Sequence, residues 1–267
     1  MNILEKIVAQ KRIEVVERKA LIPTALLEKS IYFNSPTVSL KSYLLRQDKS
    51  GIIAEFKRKS PSKGDINKYA KVDEVTLGYM QSGASALSVL TDEQFFGGSD
   101  NDLKKARKLN YCPILRKDFI IDEYQIIEAR SIGADAILLI ASVLSKEEII
   151  RFSNLAKKLS LEVLLEVHNE KELEKIPNEE VLIGVNNRNL ETFEVSLQNS
   201  IDLFPKLPHS VVKVAESGIK TPEDIALLKS VGYNGFLIGE QFMKTPNPSA
   251  ACRVFIDAIQ DQEKKQA

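Results

Sequence analysis

Two patterns alternate along the chain from about residue 50 onward. Short runs rich in Val, Ile and Leu are followed by longer charged segments with helical spacing. The apolar runs are 52–56, 86–90, 113–116, 136–140, 162–167, 181–185, 211–215 and 236–238, eight in all. Strands this continuously apolar suit a parallel sheet whose two faces are both covered by helices. The intervening segments carry helix start and stop signals. Ser145-Lys146-Glu147-Glu148 predicts a capping box, in which the serine accepts one backbone N–H and the glutamate reaches back to another. Thr221-Pro222-Glu223-Asp224 sets a cap residue, then proline at the first helical position, then two acids at the positive end of the helix dipole. Gly83, Gly133 and Gly232 each close a helical stretch just before a strand. Their spacing is not constant, so no solenoid is predicted.

Eight βα units in series predict an α/β protein, a (β/α)₈ TIM barrel. An open doubly wound sheet would announce itself by a glycine-rich loop after its first strand, and here that strand runs into Lys57-Arg58-Lys59. Ahead of the barrel, Ile3, Leu4, Ile7, Val8, Val15 and Val16 predict a partly amphipathic helix, with a second short one at 39–46. Residues 1–50 are too few for a core of their own. They are expected as a helical extension packed on a barrel of residues 51–267, one structural domain overall.

Composition narrows the class. The 267 residues carry 37 basic and 37 acidic side chains, and a net charge of zero argues against a phosphate-tracking nucleic-acid binder. Lys57-Arg58-Lys59 is too short a basic run to reverse that. Cys112 and Cys252 stand apart, in no CxxC pair and beside no histidine cluster, so neither a disulfide framework nor a zinc site is predicted. The first residues lack a signal-peptide apolar stretch, and no apolar run approaches the ~18 residues of a membrane span. The expectation is a cytoplasmic protein with no membrane or nucleic-acid partner.

A barrel of this kind keeps its chemistry at the C-terminal ends of its strands. The first strand delivers Glu55, Lys57 and Lys59 on one face by alternation, then Ser60. The third delivers Lys117, the fifth Glu166 and the sixth Asn186 and Arg188. The seventh delivers Glu216-Ser217-Gly218 and the eighth Gly239-Glu240. Lys57, Lys117, Glu55 and Glu166 converging on one mouth predict a functional acid–base set; a charge-balanced structural network is the competing reading. His168 and His209 read as satisfied polar residues, His168 being the nearer to the mouth. Glycine allows backbone N–H groups to approach an oxyanion, and barrels bind phosphate after strands seven and eight. Gly218 and Gly239 therefore predict a phosphate site, closed by Lys59 and Ser60 from the neighbouring first strand. The inferred ligand is a small phosphorylated molecule.

The phrases Ala54-Glu55-Phe56-Lys57-Arg58-Lys59-Ser60-Pro61-Ser62, Leu115-Arg116-Lys117-Asp118-Phe119-Ile120, Leu164-Leu165-Glu166-Val167-His168, Gly184-Val185-Asn186-Asn187-Arg188-Asn189-Leu190 and Ala215-Glu216-Ser217-Gly218-Ile219 together resemble the indole-3-glycerol-phosphate synthase family, in order and from about residue 3 to 260. That resemblance implies a ring-closing lyase of tryptophan biosynthesis. It converts 1-(2-carboxyphenylamino)-1-deoxyribulose 5-phosphate to indole-3-glycerol phosphate, carbon dioxide and water, with no metal or organic cofactor. It implies Lys117 as the acid at the substrate ketone, Glu166 as a carboxylate near the reacting hydroxyls, and Lys57 with Glu55 as a second acid–base pair. Asn186 and Arg188 resemble substrate-orienting groups, and Glu216 and Ser217 line the same mouth. Phe95, Phe96, Phe119 and Leu138 are candidates for an apolar slot around the aromatic ring. Many members have serine where this chain has Glu240, so Glu240 is expected to offer only its backbone N–H and to turn its side chain away. Phosphoribosylanthranilate isomerase, another phosphate-binding barrel enzyme, and a non-catalytic phosphometabolite-binding barrel are the rival readings. A monomer is expected, with a weak homodimer as the alternative.

Overall fold

The computed structural model describes residues 2–178, 180–189 and 192–266, so Leu190, the last position of one motif above, lies outside the described residues. Helices α1 (Ile3–Leu21), α2 (Thr24–Leu27) and α3 (Leu40–Leu44) precede the first strand. Strands β1 (Ile52–Phe56), β2 (Ala86–Leu90), β3 (Ile114–Lys117), β4 (Ala136–Ile140), β5 (Glu162–Val167), β6 (Leu182–Asn186), β7 (Lys213–Glu216) and β8 (Gly235–Ile238) are parallel and close into a barrel, with β1 paired to both β2 and β8. Helices α4 (Val72–Gln81), α5 (Asp100–Leu109), α6 (Glu123–Ser131), α7 (Lys146–Lys158), α8 (Gln198–Leu203) and α9 (Pro222–Val231) connect them, and α10 (Glu240–Met243) and α11 (Pro248–Gln266) follow β8. The capping boxes form at Ser145 with Glu148 and at Thr221 with Asp224. Gly232 ends α9 at φ +119°, and a Cβ there would meet the Phe204 ring at 2.4 Å. One unit departs from the predicted alternation. Between β5 and β6 the chain makes only a 3₁₀ turn, Glu170–Lys175, because the connection is short and Pro177 interrupts it.

Alternation along the strands decides what fills the barrel. The inward residues Ile53, Ala86, Leu115, Ala136, Leu138, Leu164, Leu182, Val214 and Leu237 form one apolar cluster, while outward residues such as Ile52, Phe56, Val89 and Ile114 pack beneath the helices in another. Two residues further along the same inward faces come Glu55, Lys117, Glu166 and Glu216, all within the C-terminal layer. The interior thus switches from apolar to ionisable along the barrel axis.

The N-terminal segment touches both ends of the barrel. At the bottom, Leu40 and Leu44 of α3 join the inner apolar cluster. There Ser39 Oγ and the Lys41 N–H hold the Glu162 carboxylate at 2.6 and 2.9 Å. At the top, α1 buries Lys11, whose Nζ lies 2.9 Å from Asp92 and 3.0 Å from Asp118, beyond the ends of β2 and β3. Arg18 reaches Glu128 at 3.0 Å, and Arg116 meets the same carboxylate at 2.7 Å. Burial works against the Lys11 charge, but Asp118 and Asp92 outweigh it and raise its pKa. Burial likewise opposes ionisation of Asp118, and Lys11 and Arg116 bring it down to about 2.

Lys11→Met leaves two buried carboxylates short of a cation. Urea unfolding at pH 7 should show a loss of roughly 3–5 kcal/mol. The Asp118 carboxyl is depressed in the fold, so its stabilisation is complete above the ordinary carboxylate range and is lost as pH falls toward about 2. That acid-side loss should shrink in the variant. Unchanged stability at pH 7 would mean that these pairs do not dock α1.

Candidate active site

A cavity of about 200 Å³ opens at the C-terminal end of the barrel. Of the residues singled out in the sequence, Glu55, Lys57, Ser60, Phe96, Lys117, Phe119, Leu138, Glu166, Asn186, Arg188, Glu216, Ser217, Gly218, Gly239 and Glu240 line it. Lys59 does not. Strand β1 ends at Phe56, and Lys59–Ser60 pairs antiparallel with Gly64–Asp65 in a small hairpin. The alternation that carries Glu55 and Lys57 inward is therefore broken, and Lys59 Nζ instead donates to the Gln94 carbonyl at 3.0 Å. Phe95 also stays off the cavity wall; its N–H is held by Asp92 at 2.8 Å.

The floor is ionic. Lys117 at the end of β3 lies between Glu166 of β5, at 3.2 Å, and Glu216 of β7, to which it donates a short hydrogen bond. Beside them Lys57 pairs with Glu55 at 2.8 Å. Gly184 on β6 makes the room, since a Cβ there would stand 2.1 Å from Glu216 Oε1. Burial opposes the Lys117 charge, yet Glu216, Glu166 and Glu55 together raise its pKa, so it stays an ammonium. Burial also opposes ionisation of Glu166, but Lys117, His168 and Asn186 hold its carboxyl well below the usual range. Glu216 behaves the opposite way. Burial pushes it up to about 7, with Lys117 opposing and the Glu166 charge adding to the rise. One carboxylate of the pair stays ionised and the other carries the titrating proton.

The walls include residues that the motifs did not point to. Ile3, Leu4 and Ile7 of α1 face the cavity with Leu90, Ile140 and Phe193. Phe96 and Phe119 stack at 5.8 Å between ring centres. The only sequence signal for the α1 residues was the apolar spacing of that helix, which reads equally well as packing. His168, the histidine read as nearer to the mouth, has Nε2 3.1 Å from Glu166 Oε1.

Gly218 and Gly239 sit at the rim of the cavity. Each is required even without a ligand. Gly218 has φ +80° and a Cβ there would meet Val195 Cγ1 at 2.4 Å, while at Gly239 it would meet Glu55 Oε1 at 2.5 Å. Ser217 adopts φ +67°, a strained conformation for a residue with a side chain, and its carbonyl accepts from Asn187 at 3.1 Å. Ser60 Oγ is buried and finds no hydrogen-bond partner among the described residues. The Glu240 side chain does not turn away from the cations of the rim. Its carboxylate lies 3.7 Å from Arg188 and 3.9 Å from Lys63, drawn there by two positive charges. Among the described residues no group of three or more His, Cys, Asp or Glu is arranged to hold a metal ion, and no helix is long and apolar enough to cross a membrane.

Comparison with known proteins follows the same lines. The model of a family described as indole-3-glycerol phosphate synthase matches residues 4–255. A protein of that name from Bacteroides thetaiotaomicron is 49% identical over 259 residues, covering 97% of this chain and 99% of the relative. Another, from Alkaliphilus metalliredigens, is 42% identical over 243 residues, covering 91% and 93%. Among solved structures, 3-hexulose-6-phosphate synthase from Salmonella typhimurium superposes with a TM-score of 0.61 at 13% identity, over 79% of this chain and 98% of that one. The tryptophan synthase α subunit of Legionella pneumophila does so with a TM-score of 0.58 at 15% identity, over 80% and 92%. At such identities the likeness shows the barrel fold.

Carboxyl ¹³C NMR of the free protein should show Glu216 taking up its proton as pH falls through about 7, with Glu166 still ionised far below that. Because the fold raises the Glu216 pKa, this group's contribution to stability is complete below the ordinary carboxylate range and lost as pH rises through about 7. Titration of Glu216 in the ordinary carboxylate range would refute the effect of its burial.

Proposed function

We propose a division of labour for this cavity from one premise: the chain belongs to the indole-3-glycerol phosphate synthase family. It carries out that family's ring closure in tryptophan biosynthesis and takes a phosphorylated substrate. Membership sets aside the isomerase and the non-catalytic barrel. The observation that carries the assignment of roles is the Lys117 ammonium, part-buried at the cavity floor between Glu166 and Glu216.

The aromatic carbon bearing the carboxylate attacks the ketone of the open-chain sugar. A C–C bond forms, and the carbonyl oxygen gains the electron pair that Lys117 meets with a proton. Loss of carbon dioxide returns its bonding pair to the ring. A hydroxyl then leaves as water while a proton departs from carbon, which needs an acid and a base on opposite sides of the forming double bond. The ionised Glu166 is suited to accept a proton near the reacting hydroxyls. The Lys57–Glu55 pair supplies the second acid and its counter-charge, and Lys57 also suits the substrate carboxylate before it is lost. The sequence is redox-neutral and balances with protons alone, which supports a mechanism without metal or organic cofactor.

Ile3, Leu4 and Ile7 with Phe96, Phe119 and Leu138 offer an apolar slot for the aromatic ring. A dry slot favours discharge of the carboxylate as neutral carbon dioxide. The phosphate belongs at the rim, against Gly218, Gly239 and the unpartnered Ser60 hydroxyl, with Asn186 and Arg188 orienting the sugar. Lys59, turned to Gln94, is left out of this assignment. Residues 1–50 act with the barrel as one domain, since α1 completes the slot. A monomer, with a weak homodimer as the alternative, and a cytoplasmic location suited to the biosynthetic role complete the proposal.

Lys117→Ala should lower kcat by roughly 10²–10⁴-fold with a much smaller change in KM. The assay is indole fluorescence from the carboxyphenylamino-deoxyribulose phosphate. A variant keeping more than about half of the wild-type kcat, with product release excluded as the slow step, would end the assignment. Glu240→Gln removes a rim carboxylate that repels the phosphate and partly neutralises Arg188 and Lys63. It should lower KM by roughly two- to fivefold, the worth of one exposed charge pair, and the gain should fade at high salt. A higher KM in the variant would show that the carboxylate helps to bind substrate.

A further inference from the structure

Glu166 and Glu216 touch the same ammonium, that of Lys117. One cation cannot neutralise both, so something must decide which of them keeps its charge. The two differ in what stands behind them. Glu216 Oε1 is buried and has no hydrogen-bond partner among the described residues. Glu166 Oε1 lies 3.1 Å from His168 Nε2.

His168 is held from several directions. Its side chain is 8% exposed, and Nδ1 lies 3.3 Å from Glu172 Oε2 on the 3₁₀ turn after β5. Glu172 is fixed in turn by the His168 backbone N–H at 2.7 Å and by Asn169 Nδ2 at 2.9 Å. The His168 carbonyl accepts from Asn199 at 3.1 Å. Both ring nitrogens therefore face a carboxylate. A neutral imidazole has a single N–H and would turn a lone pair toward one of them; only the imidazolium presents a proton to each. The Nε2–H is not aligned on Glu166 Oε1, so this contact acts through charge more than as a directed bond. The charged and titratable groups around the ring are Glu166 from β5, Glu172 from the turn and, one step beyond Glu166, Lys117 from β3 and Glu216 from β7.

We propose that His168 is a positioning residue, held as an imidazolium between Glu172 and Glu166, which breaks the symmetry of the carboxylate pair on Lys117 and keeps Glu166 ionised for catalysis. It is not a group that touches substrate. The pKa directions agree: burial alone would lower that of His168, but Glu166 and Glu172 raise it to about 10. The proposal rests on the role given to Glu166 above. It assigns the histidine after Leu164-Leu165-Glu166-Val167 to an electrostatic purpose instead of to packing.

The test uses His168→Gln, which keeps an N–H donor but cannot be charged, and Glu172→Gln, which keeps the ring but removes the carboxylate that holds it charged. Carboxyl ¹³C NMR of Glu166 and the pH profile of kcat/KM are read for both, after urea unfolding has shown each to be folded. In His168→Gln the Glu166 pKa should rise by roughly 1–3 units, as expected on losing an adjacent cation, and the acid limb of the profile should move up with it. In Glu172→Gln the imidazole should lose its proton at lower pH but still carry it where Glu166 titrates, so the Glu166 titration should stay close to that of wild type. In His168→Gln kcat should fall along that acid limb while KM barely changes. A Glu166 titration that is the same in His168→Gln as in wild type overturns the proposal, whatever the activity does. Failure of the underlying role shows elsewhere: Glu166→Gln with wild-type kcat would refute the part given to Glu166 without moving the NMR result.

Discussion

A lysine ammonium on the floor of a cavity at the top of a closed barrel cannot exist without anions around it. Desolvating one charge costs several kcal/mol, and only close partners of opposite sign offset it. Lys117 meets this with Glu166 and Glu216, delivered by β5 and β7, strands that are not its neighbours in the barrel order. The three strands must therefore close into one ring for any of them to bury its charged residue. The same requirement explains Gly184, whose missing side chain is the space that Glu216 occupies. The groups proposed to react are also the groups that make one another's burial tolerable, so under that proposal chemistry and charge balance are not separable.

The N-terminal segment extends that logic outward. Its helix α1 places Lys11 on Asp92 and Asp118, and Asp118 follows Lys117 directly in the chain. The helix also turns Ile3, Leu4 and Ile7 into the cavity. At the opposite end α3 closes the barrel with Leu40 and Leu44. One N-terminal segment thus seals the bottom of the barrel and walls the pocket at its top. Its stability and the shape of the apolar slot depend on the same docking contacts.

Charge at the rim is arranged differently from charge at the floor. The floor pairs are buried and fixed, whereas Glu240 with Arg188 and Lys63 is looser, at 3.7 and 3.9 Å, and partly exposed. Exposed pairs contribute little to stability. Such pairs open at small cost, which suits the phosphate site proposed at this rim.

The sequence by itself determined the order of the strands, their approximate ends and the face on which each side chain lies, because alternation and capping are local. Since the barrel's strand ends are a fixed address, that was enough to bring Glu55, Lys57, Lys117, Glu166, Asn186 and Glu216 into one group before any coordinates. It failed where local pattern stops being the governing constraint. Lys59 continues the alternation of Glu55 and Lys57 on paper, but the strand ends at Phe56 and a hairpin turns it aside. The fifth connection keeps only a 3₁₀ turn where the repeat predicted a helix. Ile3, Leu4 and Ile7 could not be told from packing residues, and His168 read as an ordinary satisfied polar group. The difference between Glu166 and Glu216 was equally hidden. Both are glutamates ending inward on a strand, and what separates them is an imidazole behind one and an unsatisfied buried oxygen behind the other. Protonation depends on distance through space between groups far apart in the chain, so only the closed tertiary structure decides it.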